Sequence, residues 1–224
     1  MPNIFGPIIQ FLVKCFNFVH IHIIEVVIPN PHLSYGIAII VFTIIIRVLL
    51  LPLGMKSMKS QLKMTEIQPE VKKIQEKYKK DPAKLNEETM KLYKEKGVNP
   101  LGGCLPLLVQ MPVLMALYSV FRDPQFVNIP FLWITDLSKP DHFWILAILS
   151  GITTYISSTL LAPKGDNPQA KQTSTMNIVM GGFLTIMSLS MNSSLVLYWV
   201  FGNLFQIGQT VFIKRSNKKS LEEA

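Results

Sequence analysis

Charged residues are scarce in this 224-residue chain, in which Asp, Glu, Lys and Arg together make up only 16% of the sequence. Soluble domains carry closer to a quarter. The scarcity is uneven, because long uncharged segments alternate with short, strongly charged ones. This alternation argues against an ordinary soluble domain and is typical of membrane spans joined by loops.

Cysteine is almost absent, and the two copies, Cys15 and Cys104, are too few for a disulfide framework. We find no metal-ligand set around either of them and predict neither a metal nor a cofactor. The sequence also lacks a P-loop, a dinucleotide-binding glycine motif and a nucleophile elbow. We therefore expect no covalent chemistry and do not predict an enzyme.

Four long segments are apolar enough to cross a bilayer, which takes about 20 helical residues. They are Ser34–Leu53, Leu101–Phe121, His142–Ala162 and Gln172–Ile213. The last is 42 residues long and uncharged, too long for one span. A turn near Met191–Ser194 divides it, and the total is five predicted spans.

Positive charge predicts the orientation, because Lys and Arg accumulate on the cytoplasmic side. Residues 55–100 hold twelve lysines, and the 163–175 loop and the C-terminal tail add six more Lys or Arg. The opposite side holds only three basic residues. Five spans reproduce this split, with the N-terminus outside and the C-terminus in the cytoplasm.

The first 32 residues are hydrophobic but place Gln10, Lys14, Asn17 and Glu25 on one helical face. Such a helix is expected to lie in the membrane interface rather than to cross it. A sixth span is the alternative, and it would break the charge split. No small-residue cleavage site follows the apolar run, so the segment is not a convincing signal peptide.

The predicted fold is therefore an all-α membrane protein with five transmembrane helices, an N-terminal interfacial amphipathic helix and a cytoplasmic helical hairpin. The predicted segments are 1–32 amphipathic helix, 33–54 span 1, 55–100 hairpin, 101–122 span 2, 123–141 outer loop, 142–162 span 3, 163–174 cytoplasmic loop, 175–190 span 4, 195–213 span 5 and 214–224 basic tail.

Within the hairpin, Pro69 predicts a bend, and Asp81-Pro82 predicts the N-cap and first position of a second helix that stops at Gly97. Its net charge of +5 fits either a solvated loop or a surface that binds a client or partner. Flexible apolar side chains beside the first span suit the second interpretation, and the two interpretations stay equally open. These candidates are Met55, Met58, Leu62 and Met64. RNA binding is less favoured, because only two tyrosines accompany the lysines.

Apart from Arg122 at the last position of span 2, Arg47 is the only formal charge within the five spans, and no span contains Asp or Glu that could neutralise it. A buried arginine costs about 2.5–3.5 kcal/mol near a helix centre. Either backbone carbonyls alone satisfy it, or it marks a functional site. Span residues that could join it in a wet cavity facing the cytoplasm are Thr43, Gln110, Thr153, Thr154, Ser157, Ser158, Thr185, Ser188, Asn203, Gln206 and Gln209.

Long motifs in the chain resemble those of the YidC/Oxa/Alb membrane protein insertases. They are the run 99–118 (NPLGGCLPLLVQMPVLMALY), the run 131–141 (FLWITDLSKPD), Arg47 followed by Leu51-Pro52, and the run 197–203 (LYWVFGN) with Gln206. The resemblance covers nearly the whole chain. It implies the same five-span core and a hydrophilic groove that opens to the cytoplasm and the lipid and is closed outside.

In that family the first-span arginine lies in the groove, and Arg47 occupies the matching position. The resemblance thus predicts a client-binding groove, and we assign to it Arg47, Thr43, Gln110, Thr154, Ser158, Trp199, Asn203 and Gln206. The implied clients are nascent membrane proteins, especially single-span ones, and the ribosome and a Sec-type translocon are candidate partners.

The resemblance further implies a monomer in a lipid bilayer. The lack of a large extracytoplasmic domain points to the plasma membrane of a single-membrane bacterium. A small-solute transporter or channel is the alternative function, although we find no inverted repeat and no acidic coupling residue in a span. An intramembrane hydrolase is disfavoured, because Ser157 and Ser158 have no histidine deep in a span to act as a base.

Overall fold

The computed structural model describes residues 6–98, 105–121, 127–162 and 168–222, and its regular structure there is helical apart from one bridge between Phe131 and Ile134. A π-turn, His20–Ile24, joins the first two helices. The helices are α1 Gly6–Val19, α2 Glu25–Val27, α3 Pro31–Leu49, α4 Leu51–Glu66, α5 Gln68–Lys77, α6 Pro82–Glu95, α7 Leu105–Val120, α8 Ile145–Leu161, α9 Pro168–Ser188 and α10 Ser193–Glu222.

Helices α3, α7, α8, α9 and α10 occupy the five segments that the sequence predicts as spans. Two of them are longer than expected. Helix α9 begins at Pro168, inside the predicted 163–174 loop, and α10 continues to Glu222, through the predicted basic tail. Residues 99–104, 122–126 and 163–167, where three predicted boundaries fall, lie outside the described residues.

Three helical stretches in the described part of the chain are long and apolar enough to cross a membrane: Gln10–Val27, Pro31–Leu49 and Ser193–Arg215. Helix α8 is apolar but shorter, with 17 residues. By length and composition the N-terminal stretch could therefore span the bilayer as well as lie on it. The count of five spans and the interfacial position of the N-terminal helix stay predictions.

Local sequence signals explain the helix boundaries in the 51–98 region. Pro52 lies in the first turn of α4 and separates it from α3 at Leu50, and Pro69 separates α4 from α5 in the same way. The predicted N-cap is confirmed, because the Asp81 side chain accepts a hydrogen bond from the Lys84 amide at 3.1 Å. Gly97 follows α6 with a φ of +62°.

Helices α5 and α6 pack against each other through an apolar cluster of their own, separate from the core of the bundle. Its buried members are Ile67, Val71, Leu92, Tyr93 and Val98. An exposed ion pair between Lys96 and Glu70, at 2.7 Å, also joins the two ends. The region thus has its own small core, while its location on the cytoplasmic side stays a prediction.

Aromatic side chains join the N-terminal helix to the bundle. Phe16 of α1 is fully buried and meets Phe42 of α3 and Phe121 at the end of α7 edge to face, with ring centroids 5.4 and 6.1 Å apart. Edge-to-face pairs of this kind are favourable beyond the apolar area that they bury. Helix α10 packs against both α3 and α8, and α9 packs against α8.

Helices α8 and α9 pack closely at a pair of glycines, Gly151 of α8 and Gly181 of α9. A Cβ added to Gly151 would collide with the Thr185 hydroxyl and lie 3.0 Å from the Gly181 carbonyl oxygen. Gly151→Ala should therefore destabilise the protein by about 1–3 kcal/mol, the usual cost of overpacking. Thermal unfolding of the purified protein in detergent checks this. Gly182→Ala is the matched control, since nothing lies within 4 Å of a Cβ there, and an equal loss in both variants would contradict the prediction.

Residues 127–144, between α7 and α8, fold tightly over one end of the bundle. The Phe131 ring lies directly against Gly36 of α3, where a Cβ would overlap it. The hydroxyls of Ser193 and Ser194, at the start of α10, donate to the Lys139 and Leu137 carbonyls, both at 2.7 Å. This segment, here called the loop cap, thereby joins α3 to α10.

Asp136 organises the loop cap through hydrogen bonds from the Asn128 amide at 3.2 Å and from the Ser138 amide and hydroxyl at 2.9 and 2.6 Å. Burial alone would raise the pKa of this carboxyl, but hydrogen bonds from Ser138 and Lys139 outweigh it and lower the pKa. The carboxylate therefore contributes stability that is present above its unfolded pKa of about 3.9.

Acid should remove that contribution as the pH falls through the lowered folded pKa of Asp136. We expect the melting temperature to drop more steeply below about pH 4 in the natural chain than in Asp136→Asn, which cannot titrate there. Melting curves between neutral and acidic pH measure the difference. Parallel curves for the two proteins would contradict it.

Candidate functional site

Arg47 lies in the last turn of α3, half-buried, where the partial negative charge of the helix C-terminus favours a cation. Its Nε is buried and has no hydrogen-bond partner. Among the described residues no carboxylate lies within 4.0 Å of its guanidinium. The structure therefore leaves this charge without an acidic partner in the part of the chain that it describes.

Glycine makes the space for the guanidinium. A Cβ on Gly202 of α10 would lie 2.6 Å from Arg47 Nη2 and 3.3 Å from both Cζ and Nε. Any side chain at position 202 would thus occupy the place that the arginine now takes. Gly202 is buried, so the arginine head group is inserted between α3 and α10.

The same arrangement recurs two helical turns further along, with the roles exchanged. Gly54 of α4 faces the Gln209 side chain of α10, whose Nε2 would lie 3.2 Å from a Cβ at position 54. This Nε2 is also buried and without a partner. The α3–α4 segment and α10 run in the same direction here. The first contact joins residues 47 and 202, and the second joins residues 54 and 209, which lie seven positions later in each segment. We call Arg47, Gly202, Gly54 and Gln209 the arginine seam.

Tyr198 borders the arginine seam on α10 and is almost fully buried. Its hydroxyl accepts a hydrogen bond from Gln110 Nε2 of α7 at 2.5 Å, and Tyr198 lies one helical turn before Gly202 on α10. Gln110, one of the predicted groove residues, is thereby connected to the surroundings of the arginine through Tyr198.

A second polar cluster lies between α8 and α10 and contains three predicted groove residues. Asn203 Nδ2 donates to the Thr154 hydroxyl at 2.8 Å and to the Thr153 hydroxyl at 3.2 Å. Trp199 Nε1 donates to the same Thr154 hydroxyl at 3.0 Å. The hydrogen-bonding groups of these side chains pair with one another. The cluster is therefore as consistent with helix–helix packing as with a ligand site.

The remaining predicted groove residues are not joined to Arg47 by hydrogen bonds of their side chains. Thr43 is fully buried and donates to the Ile39 carbonyl of its own helix at 2.6 Å. Ser158 is half-buried and donates to the Tyr155 carbonyl at 3.0 Å. Gln206 is half-buried on α10, one turn beyond Gly202. The predicted groove set thus separates into the arginine seam, the α8–α10 cluster and these outliers.

Two of the four predicted client contacts on α4 take part in internal packing. Met58 is buried, and its sulfur lies 3.7 Å from the Thr210 hydroxyl of α10. Met64 packs on the α5–α6 cluster, and Met55 and Leu62 are half-buried. Met90 of α6, outside the predicted set, is 47% exposed.

Sequence reasoning also missed Gly54, Gly202 and Tyr198, and it named Gln209 only among many polar span residues. Gly202 and Tyr198 lie inside the quoted 197–203 motif, which was the available signal. The pairing of Gly54 with Gln209 has no local signal, because it depends on the register of two helices far apart in the chain.

Comparisons with known proteins place this architecture in a family. The family model described as "60Kd inner membrane protein" matches residues 27–220. A protein of Clostridium tetani named membrane protein insertase YidC is 50% identical over 220 residues, which cover 98% of this chain and 97% of the relative. One of the same name from Clostridium perfringens is 47% identical over 219 residues, covering 95% and 92%.

A solved structure has a similar fold. The crystal structure described as an active YidC insertase with the first transmembrane domain resolved gives a TM-score of 0.70 at 32% identity. It covers 93% of this chain, which spans 46% of the length of that protein. Together with the apolar helices, these relatives support a membrane location and an insertase role. The chain therefore belongs to the 60Kd inner membrane protein family, alongside the bacterial membrane protein insertases named YidC.

Proposed function

We propose that this protein inserts membrane proteins by holding the hydrophilic segment of a client at the arginine seam. The single observation that carries the proposal is Arg47, a half-buried charge whose Nε has no partner and near which no described carboxylate lies. A charge in the membrane is costly unless it is paired. We infer that its acidic or polar partner belongs to the polypeptide being inserted.

Gln209 is the second hydrogen-bond donor of the arginine seam, and it offers the client another contact besides the charge of Arg47. Gln209 follows Gly202 by seven residues on α10, which corresponds to about 10.5 Å along a helix. An extended chain covers that distance in about three residues, at roughly 3.3 Å each. A client segment lying along the seam can thus present one oxygen to Arg47 and another to Gln209. Both donors would then lose the penalty of remaining unpaired.

The loop cap supports a direction for this process. In the proposed orientation it covers the outer end of α3 through Phe131 and Gly36 and is bonded to the start of α10. The seam lies toward the opposite ends of the same helices, where α3 gives way to α4. We propose that the client enters from the cytoplasm and leaves sideways into lipid. Burial of its apolar side chains, at about 1.5–3 kcal/mol each, drives that step.

Partners and topology complete the proposal. We infer a plasma membrane protein that acts as a monomer, with its N-terminus outside and its C-terminus in the cytoplasm. Single-span nascent chains are the proposed clients. The basic 51–98 region and the basic end of α10 are the surfaces proposed for contact with the ribosome. A Sec-type translocon is a further candidate partner.

Photo-crosslinking during synthesis tests the central claim. A photoreactive amino acid replaces Arg47 while a short single-span client is made in the presence of vesicles. Crosslinks to the N-terminal segment of the client are the expected result. Crosslinks only to neighbouring helices of the protein would identify a purely structural arginine, and solute flux in client-free vesicles would favour a transporter or channel.

Gly202→Ala tests the geometry without removing the charge. The added methyl group would lie 2.6 Å from Arg47 Nη2, so the flexible guanidinium must move while the fold persists. We expect the insertion rate of an acidic client to fall about tenfold, since small misplacements of a binding group carry large rate penalties. Protease protection of the client in reconstituted vesicles measures the rate.

Gly208→Ala is the matched control, because it lies on the same helix and nothing is within 4 Å of its Cβ. Both changes raise helix propensity equally. When the acidic residues of the client are replaced by amides, its insertion rate should fall less in Gly202→Ala than the rate of the acidic client does. Equal rates for Gly202→Ala and Gly208→Ala would show that the position of the guanidinium does not matter.

A further inference from the structure

The polar groups of the arginine seam lie along one stripe of α10. Gly202, which faces the Arg47 head group, and Gln209 are seven residues apart, and Gln206 lies between them, four residues after Gly202. Positions spaced by four and then by three residues share one helical face. A polypeptide bound along this face therefore meets the guanidinium first and a side-chain amide farther along α10.

The Gln209 amide lacks an acceptor in the part of the chain that the structure describes. Its Nε2 is buried without a hydrogen-bond partner, although the residue as a whole is only half-buried. The terminal torsion of a glutamine side chain is broad and roughly two-fold, so a turn of the amide can bring the NH2 group toward a ligand. A buried donor that gains a partner no longer bears its desolvation cost. The arginine seam thus has a place for one oxygen besides the group that pairs with Arg47.

The spacing of the two donors limits the conformation of a chain that contacts both. Seven residues of α10 rise about 10.5 Å. A polyproline II chain rises about 3.1 Å per residue with three residues per turn, so its residues i and i+3 lie on one face about 9.3 Å apart. A helical client would need residues i and i+7 to cover the same distance. The two conformations therefore predict different registers between the acidic residue and the group at Gln209.

Free peptide groups favour the extended chain over the helix. In a helix all but the last four carbonyl oxygens bond to amides of the same segment, so a helical client could reach Gln209 only with a suitably placed side chain. Every residue of a polyproline II segment carries a free carbonyl, because this conformation has no internal hydrogen bonds. A glutamine that binds a peptide carbonyl requires no particular side chain of the client at that point.

The stretch between the two donors is uncharged on both sides. Residues 48–53 and 203–208 contain no Asp, Glu, Lys or Arg. Gly54, opposite Gln209, has no side chain, so a backbone can approach closely there. A charge on the client between its two contacts would remain unpaired, which is costly in a membrane. The seam therefore suits a single acidic residue followed by uncharged ones.

We propose that the arginine seam binds the hydrophilic segment of a client as an extended chain, with an acidic side chain at Arg47 and the peptide carbonyl about three residues later at Gln209. Gln209 is then a specificity-determining residue that selects unfolded over helical segments. The order follows from entry at the cytoplasmic side with the N-terminus of the client leading, because Arg47 is the deeper of the two donors in the proposed orientation. This inference rests on the proposed function and adds the conformation of the substrate to it.

Crosslinking from position 209 measures the register. A photoreactive amino acid replaces Gln209, and the client is a single-span protein whose N-terminal segment holds one aspartate in a run of glycine and serine. Mass spectrometry locates the crosslinked client residue. We expect it about three residues after the aspartate, and it should move by three residues when the aspartate is moved by three. A crosslink about seven residues away would show a helical client, and a crosslink that ignores the aspartate would show no register. Either result overturns the proposal.

Gln209→Leu tests the donor with a side chain of similar size. We expect the insertion rate of the same client to fall about threefold to tenfold, which corresponds to one hydrogen bond. Gln10→Leu is the matched control, because Gln10 is exposed on α1, outside the seam, and its rate should equal that of the natural chain. Gly54→Ala should also slow insertion, since the added methyl group would lie 3.2 Å from Gln209 Nε2 and displace the amide. An unchanged rate in folded Gln209→Leu would remove Gln209 from client binding.

Arg47→Ala separates a failure of this inference from a failure of the proposed function. Loss of the crosslink register in Arg47→Ala, together with slow insertion, supports both. Insertion at the natural rate in Arg47→Ala would overturn both, because the seam would then not be the binding site. Slow insertion in Arg47→Ala, combined with crosslinks that do not follow the aspartate in the chain that retains Arg47, would overturn only the extended binding mode.

Discussion

Replacing Arg47 with alanine should lower the initial rate of client insertion about tenfold or more in reconstituted vesicles. The variant removes the only charge that the sequence places in the interior of a predicted span, since Arg122 stands at the last position of span 2. A hydrogen bond to a charged group contributes about 1.5–3 kcal/mol, and 1.4 kcal/mol corresponds to a factor of ten. The effect should be largest for a single-span client with an acidic N-terminal segment, measured by its protection from protease.

Arg47→Lys should keep much of the activity, because the charge remains while the planar fork of donors is lost. Lys14→Ala is the control, since it removes an exposed cation on α1, outside both the arginine seam and the surfaces proposed for partners. Full activity of Arg47→Ala would remove the arginine from the mechanism. A loss that is equal for acidic and amide-substituted clients would point to a structural role instead.

Asp141→Ala should produce the largest loss of stability, about 3 kcal/mol or more. The Asp141 carboxylate is buried and accepts from Trp133 Nε1 at 3.2 Å, from the Phe143 amide at 3.1 Å and from the Leu146 amide at 2.9 Å. Truncation leaves the buried Leu146 amide, at the start of α8, and the half-buried Trp133 Nε1 without an acceptor, at about 1–3 kcal/mol each, whereas the exposed Phe143 can turn to water.

The measurement is the free energy of unfolding of the purified protein in detergent, compared with Asp81→Ala. Asp81 also caps a helix, but it is only partly buried and accepts a single amide at 3.1 Å, so about 1 kcal/mol is expected there. Similar losses in the two variants would contradict the role given to the loop cap.

Local chemistry explains why parts of the structure could be predicted. The Asp81-Pro82 start of α6 and the stop at Gly97 depend on capping and backbone preferences that involve a few neighbouring residues. The membrane character depends on composition over about 20 residues. The family followed from long motifs, and the match to residues 27–220 confirms it.

Which side chains of a helix are exposed was harder to predict than where along the chain the helices lie. Met58 has the composition expected of a flexible client contact, yet α4 turns it toward Thr210 of α10 and buries it. Asn203 and Trp199 were predicted to line a groove; both donate hydrogen bonds to hydroxyls of α8, and the groove lining stays a prediction. Which face of a helix is covered depends on its neighbours, and those neighbours come from distant parts of the chain.

The sequence by itself determined that this is a helical membrane protein of the insertase family and that Arg47 has no acidic residue available within any predicted span. Only the tertiary structure decided where the guanidinium lies, because Gly202 makes its space from 155 positions away in the chain. It likewise decided that Gln209 joins the seam opposite Gly54. Charge and hydropathy are properties of single segments, whereas the arginine seam depends on the register between α10 and the α3–α4 segment.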